Sequence, residues 1–147
     1  MITRRYFAAL AGAAFITSFN LSAQAQNVTL RSTDIHPTDY PTVEAVRHMG
    51  KLLDERTQGR IKINVFHSAQ LGQEKDTIDQ TRFGVIDMNR INMAPFNNLI
   101  PATNVPSLPF IFRSVDHMRK VMDGPIGDNL LKDFEKHDLI GLAFYDS

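Results

Sequence analysis

The chain has 147 residues, with 16 Lys and Arg against 16 Asp and Glu, so its formal net charge is zero. Such a balance leaves no electrostatic footprint for nucleic acid or an anionic membrane. The absence of cysteine excludes thiol chemistry, haem attachment and Cys-type zinc sites, so packing has to supply the stability.

The amino terminus sets the compartment. Arg4 and Arg5 precede a mostly apolar, uncharged run from Tyr6 to Leu21, and Ala23-Gln24-Ala25 follows as a small-x-small cleavage pattern. That order reads as a secretory signal peptide over residues 1–25. The apolar run is shorter than the ~20 residues a spanning helix needs, and Thr17, Ser18 and Asn20 interrupt it. Thr3-Arg4-Arg5-Tyr6-Phe7 also looks like a twin-arginine signal; paired arginines are common in general secretory signals, so both export routes fit. Residues 26–147 then suffice for one domain in a periplasm-like space, with no further segment able to span a membrane.

Val28 to Thr33 reads as a first strand, followed by a polar turn, Asp34 to Asp39, that contains Pro37. Pro41 suits the first turn of a helix, where its missing N–H costs nothing, and Glu44 adds negative charge near that end. Val43, Val46, Gly50 and Leu53 lie along one face at helical spacing, and Gly59 is placed to close the helix. Ile61, Ile63 and Val65 alternate with Lys62, Asn64 and Phe66 as a second strand. Gln73 to Phe83 is a second helix with Ile78 and Phe83 inward and Gly84 as its stop. Val85 to Met93 follows as a third strand; Ile86, Met88, Arg90 and Asn92 share a face that starts apolar and ends polar.

Prolines at 95, 101, 106 and 109 rule out a regular helix or central strand between Ala94 and Pro109. Ser114 caps a third helix carrying Val115, Met118, Val121 and Met122. Asp123-Gly124-Pro125 separates it from a fourth, Ile126 to His137, with Leu130, Leu131 and Phe134 inward. Leu139 to Tyr145 is nearly all apolar, as expected of a strand buried on both faces. The alternation predicts an α/β fold with a mostly parallel sheet flanked by helices. In such sheets ligands sit beyond the carboxyl ends of the strands, here Ser32 to His36, Phe66 to Gln70 and Arg90 to Asn92, all polar stretches.

No pattern marks an enzyme. The five histidines make no metal-ligand pair, and there is no nucleophile elbow and no phosphate- or dinucleotide-binding glycine pattern, so neither metal nor cofactor is expected. Arg90 is the most suggestive residue: an arginine late in an apolar strand is costly unless its fork is paired. A ligand carboxylate would pair it bidentately, and a structural ion pair with Asp87 or a loop acid would serve equally. Asn92 points the same way and suits a ligand oxygen or hydroxyl. Glu74 is placed either to accept from a ligand hydroxyl or to favour its helix amino end.

Three pieces together carry a resemblance: Leu71-Gly72 before an acidic helix start, Phe83-Gly84 before Ile86-Asp87-Met88, and Leu108-Pro109-Phe110-Ile111-Phe112. In this order the chain resembles the substrate-binding proteins of TRAP-type transporters, the DctP-like family, from about Val28 onward. The resemblance implies a periplasmic-binding-protein-like lobe, an organic-acid ligand, a two-part membrane permease as partner, and no catalytic role. It also implies ligand contacts from the loop after the first strand, at Thr33, Asp34 and His36, and from Glu74, Arg90 and Asn92. That polar set looks more like a site for a sugar acid than for a plain C4-dicarboxylate. The family is about twice as long, so residues 26–147 are expected to correspond to its amino-terminal lobe; the family's main carboxylate-clamping arginine falls beyond Ser147. A secreted α/β enzyme without a recognisable signature, or a remnant that binds nothing, are the competing readings.

Overall fold

The structure is a computed structural model and describes residues 26–146, so the signal-peptide reading of residues 1–25 lies outside the described residues. Three parallel strands, β1 (Val28–Thr33), β2 (Ile61–Phe66) and β3 (Met88–Asn89), form a sheet in the order β2-β1-β3. Between them run α1 (Pro41–Arg56) and α2 (Glu74–Arg82). The step from β1 to β2 goes one way across the sheet and the step from β2 to β3 goes back past β1. Right-handed crossovers of opposite direction put the two helices on opposite faces. All six residues of β1 pair with β2, from Val28 against Ile61 to Thr33 against Phe66. Only Ser32 and Thr33 pair with β3, against Met88 and Asn89.

Helix α1 behaves as its spacing predicts. Val43 and Gly50 are buried, and a Cβ on Gly50 would come within 3.2 Å of the Ile63 Cβ, so the glycine lets the helix lie close on β2. Its end differs in detail. Gln58 takes the left-handed position (φ 55°), Gly59 follows at φ 82°, and the Gly59 N–H reaches back to the Asp54 carbonyl at 2.8 Å. Gly84 closes α2 as expected, at φ 72°, with the Val85 N–H on the Gln80 carbonyl at 2.8 Å.

The proline-spaced stretch forms two short 3₁₀ turns, Ala94–Phe96 and Pro101–Asn104. It folds over α2 and contributes to the main apolar cluster of Ile78, Phe96, Ile100 and Phe134. The rings of Phe96 and Phe134 meet edge to face, 4.9 Å apart. Ser114 caps α3 (Val115–Met122) through the His117 N–H at 3.1 Å, as its position predicts. After Gly124 comes α4 (Pro125–Asp133), which tightens into a 3₁₀ turn over Phe134–His137.

Three expectations need correction. Phe83 is 78% exposed, not inward, because it lies about 140° round the helix from the buried Ile78. The third strand shrinks from Val85–Met93 to two residues, since β1 offers it pairing only at its own carboxyl end. Leu139 to Tyr145 has no regular structure and pairs with no described strand, and Ile140 and Leu142 are 77% and 74% exposed. Strand identity needs a ladder partner as well as apolar side chains. Among the described residues no helix is long and apolar enough to cross a membrane.

Two outcomes follow from this packing. A Cβ on Gly127 would sit 1.8 Å from the Met122 carbonyl oxygen, where α3 meets α4. Gly127→Ala is expected to lower stability by about 1–3 kcal/mol in urea denaturation, as overpacking does. The Arg119 side chain donates to Asp146 (Nε to Oδ2, 2.7 Å) and holds that carboxyl below its ordinary value. The tie is therefore complete above the ordinary carboxylate pKa and is lost as pH falls through the lowered one. An NMR titration of Asp146 should move upward in Arg119→Gln.

Candidate functional site

The sheet order places a topological switch point between β1 and β3. Connections leave the adjacent strands β1 and β3 in different directions, and the gap between their carboxyl ends is the switch point of the sheet. Three loops converge there. The Arg90 N–H donates to the Thr33 carbonyl at 3.0 Å, which ties the end of β3 to the end of β1. The Asp34 N–H donates to the Phe66 carbonyl (3.0 Å), and the N–H groups of Ser68 and Ala69 return to the carbonyls of His36 (2.7 Å) and Asp34 (3.2 Å). Ser68 and Ala69 both adopt left-handed backbone (φ 53° and 55°), a conformation costly for residues with a Cβ, and these bonds hold them in it.

Glu74 and Arg90 face each other at this end. Glu74 is the first residue of α2, and its Oε1 accepts the Asn92 N–H at 2.7 Å while Oε2 accepts the Asn92 amide at 3.2 Å. Arg90 Nη1 lies 3.7 Å from Glu74 Oε1, with the two side chains only 10% and 13% exposed. That separation is an ion pair without a hydrogen bond. Arg90 Nη1 is fully buried and has no hydrogen-bond acceptor among the described residues. Asp87, the other acid considered for Arg90, is engaged elsewhere and accepts the Arg31 N–H at 2.7 Å. The structure thus brings Glu74, Arg90 and Asn92 together and sets Glu74 beside Arg90, whose partner the sequence left open.

The three residues of the first loop, Thr33, Asp34 and His36, have different surroundings. Thr33 is buried and its hydroxyl donates to the Phe66 carbonyl at 3.3 Å. Asp34 is 4% exposed, and both its oxygens are engaged, Oδ1 by His36 and Oδ2 by the Thr42 hydroxyl at 2.6 Å. His36 is partly exposed and stacks on Tyr40, ring centroids 4.0 Å apart. Thr42 and Tyr40 were missed. A Thr at the second position of a helix that starts with Pro is a usable signal, because it sits one turn from the polar loop it can bond.

Two hollows are lined by other residues, although the first reaches Phe66 and Gln70 at the end of β2. One of about 630 Å³ runs between α1 and β2 beside Arg47, Lys51, Asp54 and Lys62, and is wide open to solvent. The other, about 390 Å³, is apolar and lies between the second 3₁₀ turn, α3 and α4. Neither contains the convergent polar groups of the switch point.

Residues 33–147 match the family model for DctP, the bacterial extracellular solute-binding protein family 7. The chain belongs to that family. A solute-binding protein of Chromohalobacter salexigens is 40% identical over 132 residues, which cover 90% of this chain and 39% of that one. Among solved structures, a TRAP periplasmic solute-binding protein of Xanthobacter autotrophicus Py2 with bound β-D-galacturonate is 54% identical at a TM-score of 0.76, covering 80% of this chain and 40% of that one. One from Bradyrhizobium sp. BTAi1, in complex with α/β-D-galacturonate, is 52% identical at a TM-score of 0.77, over 82% and 40% of the two chains. The chain therefore spans about 40% of the length of these DctP-family proteins. They are solute-binding proteins rather than enzymes, and their lobes match this parallel sheet with its flanking helices.

Removing Glu74 would strand a buried guanidinium. Glu74→Ala is expected to destabilise the fold by about 3 kcal/mol, the cost of breaking a buried pair, read from chemical denaturation.

Proposed function

We propose that this chain is the amino-terminal lobe of a periplasmic solute-binding protein that captures a sugar acid, a uronate first of all, and delivers it to a TRAP-type membrane transporter. The observation that carries the reading is Arg90: nine-tenths buried just past the end of β3, beside Glu74, with Nη1 lacking an acceptor among the described residues. A ligand carboxylate supplies the missing acceptor, and arginine is suited to bind it through two parallel bonds. Glu74 decides the ligand class. It already half neutralises Arg90, so a second ligand carboxylate would meet a negative charge, whereas sugar hydroxyls can donate to it. Thr33, Asp34, His36, Glu74, Arg90 and Asn92 make up the site in this reading, and the galacturonate bound to the relatives supports the ligand class alone. Capture takes two lobes, because ligand pockets bury most of their ligand.

Calorimetry of the exported protein against D-galacturonate, D-glucuronate, succinate and D-galactose tests the reading. Uronates are expected to bind, with galactose and succinate far weaker. Binding of succinate in preference to both uronates would sink it. Arg90→Ala is expected to weaken uronate binding by about 2 kcal/mol or more, and unchanged affinity would remove Arg90 from the site.

A further inference from the structure

Asp34 is among the most buried charged residues described, yet nothing in the uronate reading needs its charge to face a ligand. Its oxygens are turned to its own surroundings. Oδ1 accepts the His36 N–H at 3.0 Å and lies 2.7 Å from His36 Nδ1, and Oδ2 accepts the Thr42 hydroxyl at 2.6 Å. An ionised carboxylate only accepts, so Nδ1 must carry the hydrogen between the two side chains. Which ring nitrogen is protonated follows from the bond the other one makes. Nδ1–H then leaves Nε2 as the lone acceptor of the neutral ring, and Nε2 bonds to no described residue. The ring is also held in plane. It stacks on Tyr40 at an interplanar angle of 9°, and the backbone carbonyl of His36 is tied down by Ser68.

We infer that Asp34 is a positioning residue rather than a ligand contact. With Thr42 and Tyr40 it locks His36 in the Nδ1–H form, so that Nε2 accepts a hydroxyl of the sugar acid. The ligand contact rests on the sugar-acid reading above; the locked ring does not. The arrangement also gives the first loop a selectivity of its own. A bare Nε2 lone pair welcomes a hydroxyl and repels a carboxylate, which steers the acid group toward Arg90.

Ring-nitrogen NMR of the exported protein, labelled with ¹⁵N-histidine and assigned with His36→Gln, tests both parts. Expected at neutral pH are an Nδ1–H, Nε2-bare signature for His36 without ligand and a displaced Nε2 resonance once D-galacturonate saturates the protein. An Nε2–H ring, or one protonated on both nitrogens, would overturn the locking by Asp34. An unmoved Nε2 in a sample that calorimetry shows to bind galacturonate would overturn the contact. No binding of any sugar acid, with the Nδ1–H signature intact, would sink the sugar-acid reading and the contact while upholding the lock. Thr42→Val keeps the side-chain shape and removes one bond to Asp34. It should weaken galacturonate binding about fivefold, roughly the worth of one hydrogen bond, and blur the tautomer signature; unchanged values for both would count against the lock.

Discussion

Strand β1 is bonded on both sides, and the rest of the molecule is arranged around that fact. Its whole length pairs with β2, while only Ser32 and Thr33 also pair with β3. The doubly bonded end is the carboxyl end, so the backbone that leaves the sheet at Asp34 starts from a fixed point. Bonds from Arg90 to Thr33 and from Asp34 to Phe66 extend the same clamp one residue beyond the ladders. A loop that would otherwise wander is thereby given a defined origin, which is what a binding site on loops requires.

The second constraint is the price of burying charge. Arg90 and Glu74 sit nearly out of water, yet they meet at 3.7 Å without a hydrogen bond. Glu74 has spent both oxygens on Asn92, so it stabilises Arg90 by field more than by contact. Asp34 shows the opposite economy. Every bond its side chain makes is to its own loop or to α1, so its carboxylate ties His36 to the helix start.

Much of this was legible beforehand, for identifiable reasons. Pro41 and the spacing of Val43 and Gly50 marked α1, alternation marked β2, and Ser114 marked the start of α3, because each signal is local. Arg90, Asn92 and Glu74 were legible as polar residues at element ends. Phe83 misled because a hydrophobic residue at a helix end has no periodic neighbour to tell which way it faces. Leu139 to Tyr145 misled because its composition is that of a central strand, whereas pairing depends on what lies alongside.

The sequence by itself determined the class of fold, the alternating order of elements and the polar character of the strand ends, since these depend on contacts between near neighbours in the chain. The tertiary structure alone decided that Glu74 rather than Asp87 faces Arg90, that Asp34 is turned to His36 and Thr42, and that Ser68 and Ala69 are bent into left-handed backbone. Each of these is set by groups brought together across the sheet, where the partner of a charge or a carbonyl is chosen by distance in space and not by spacing in sequence.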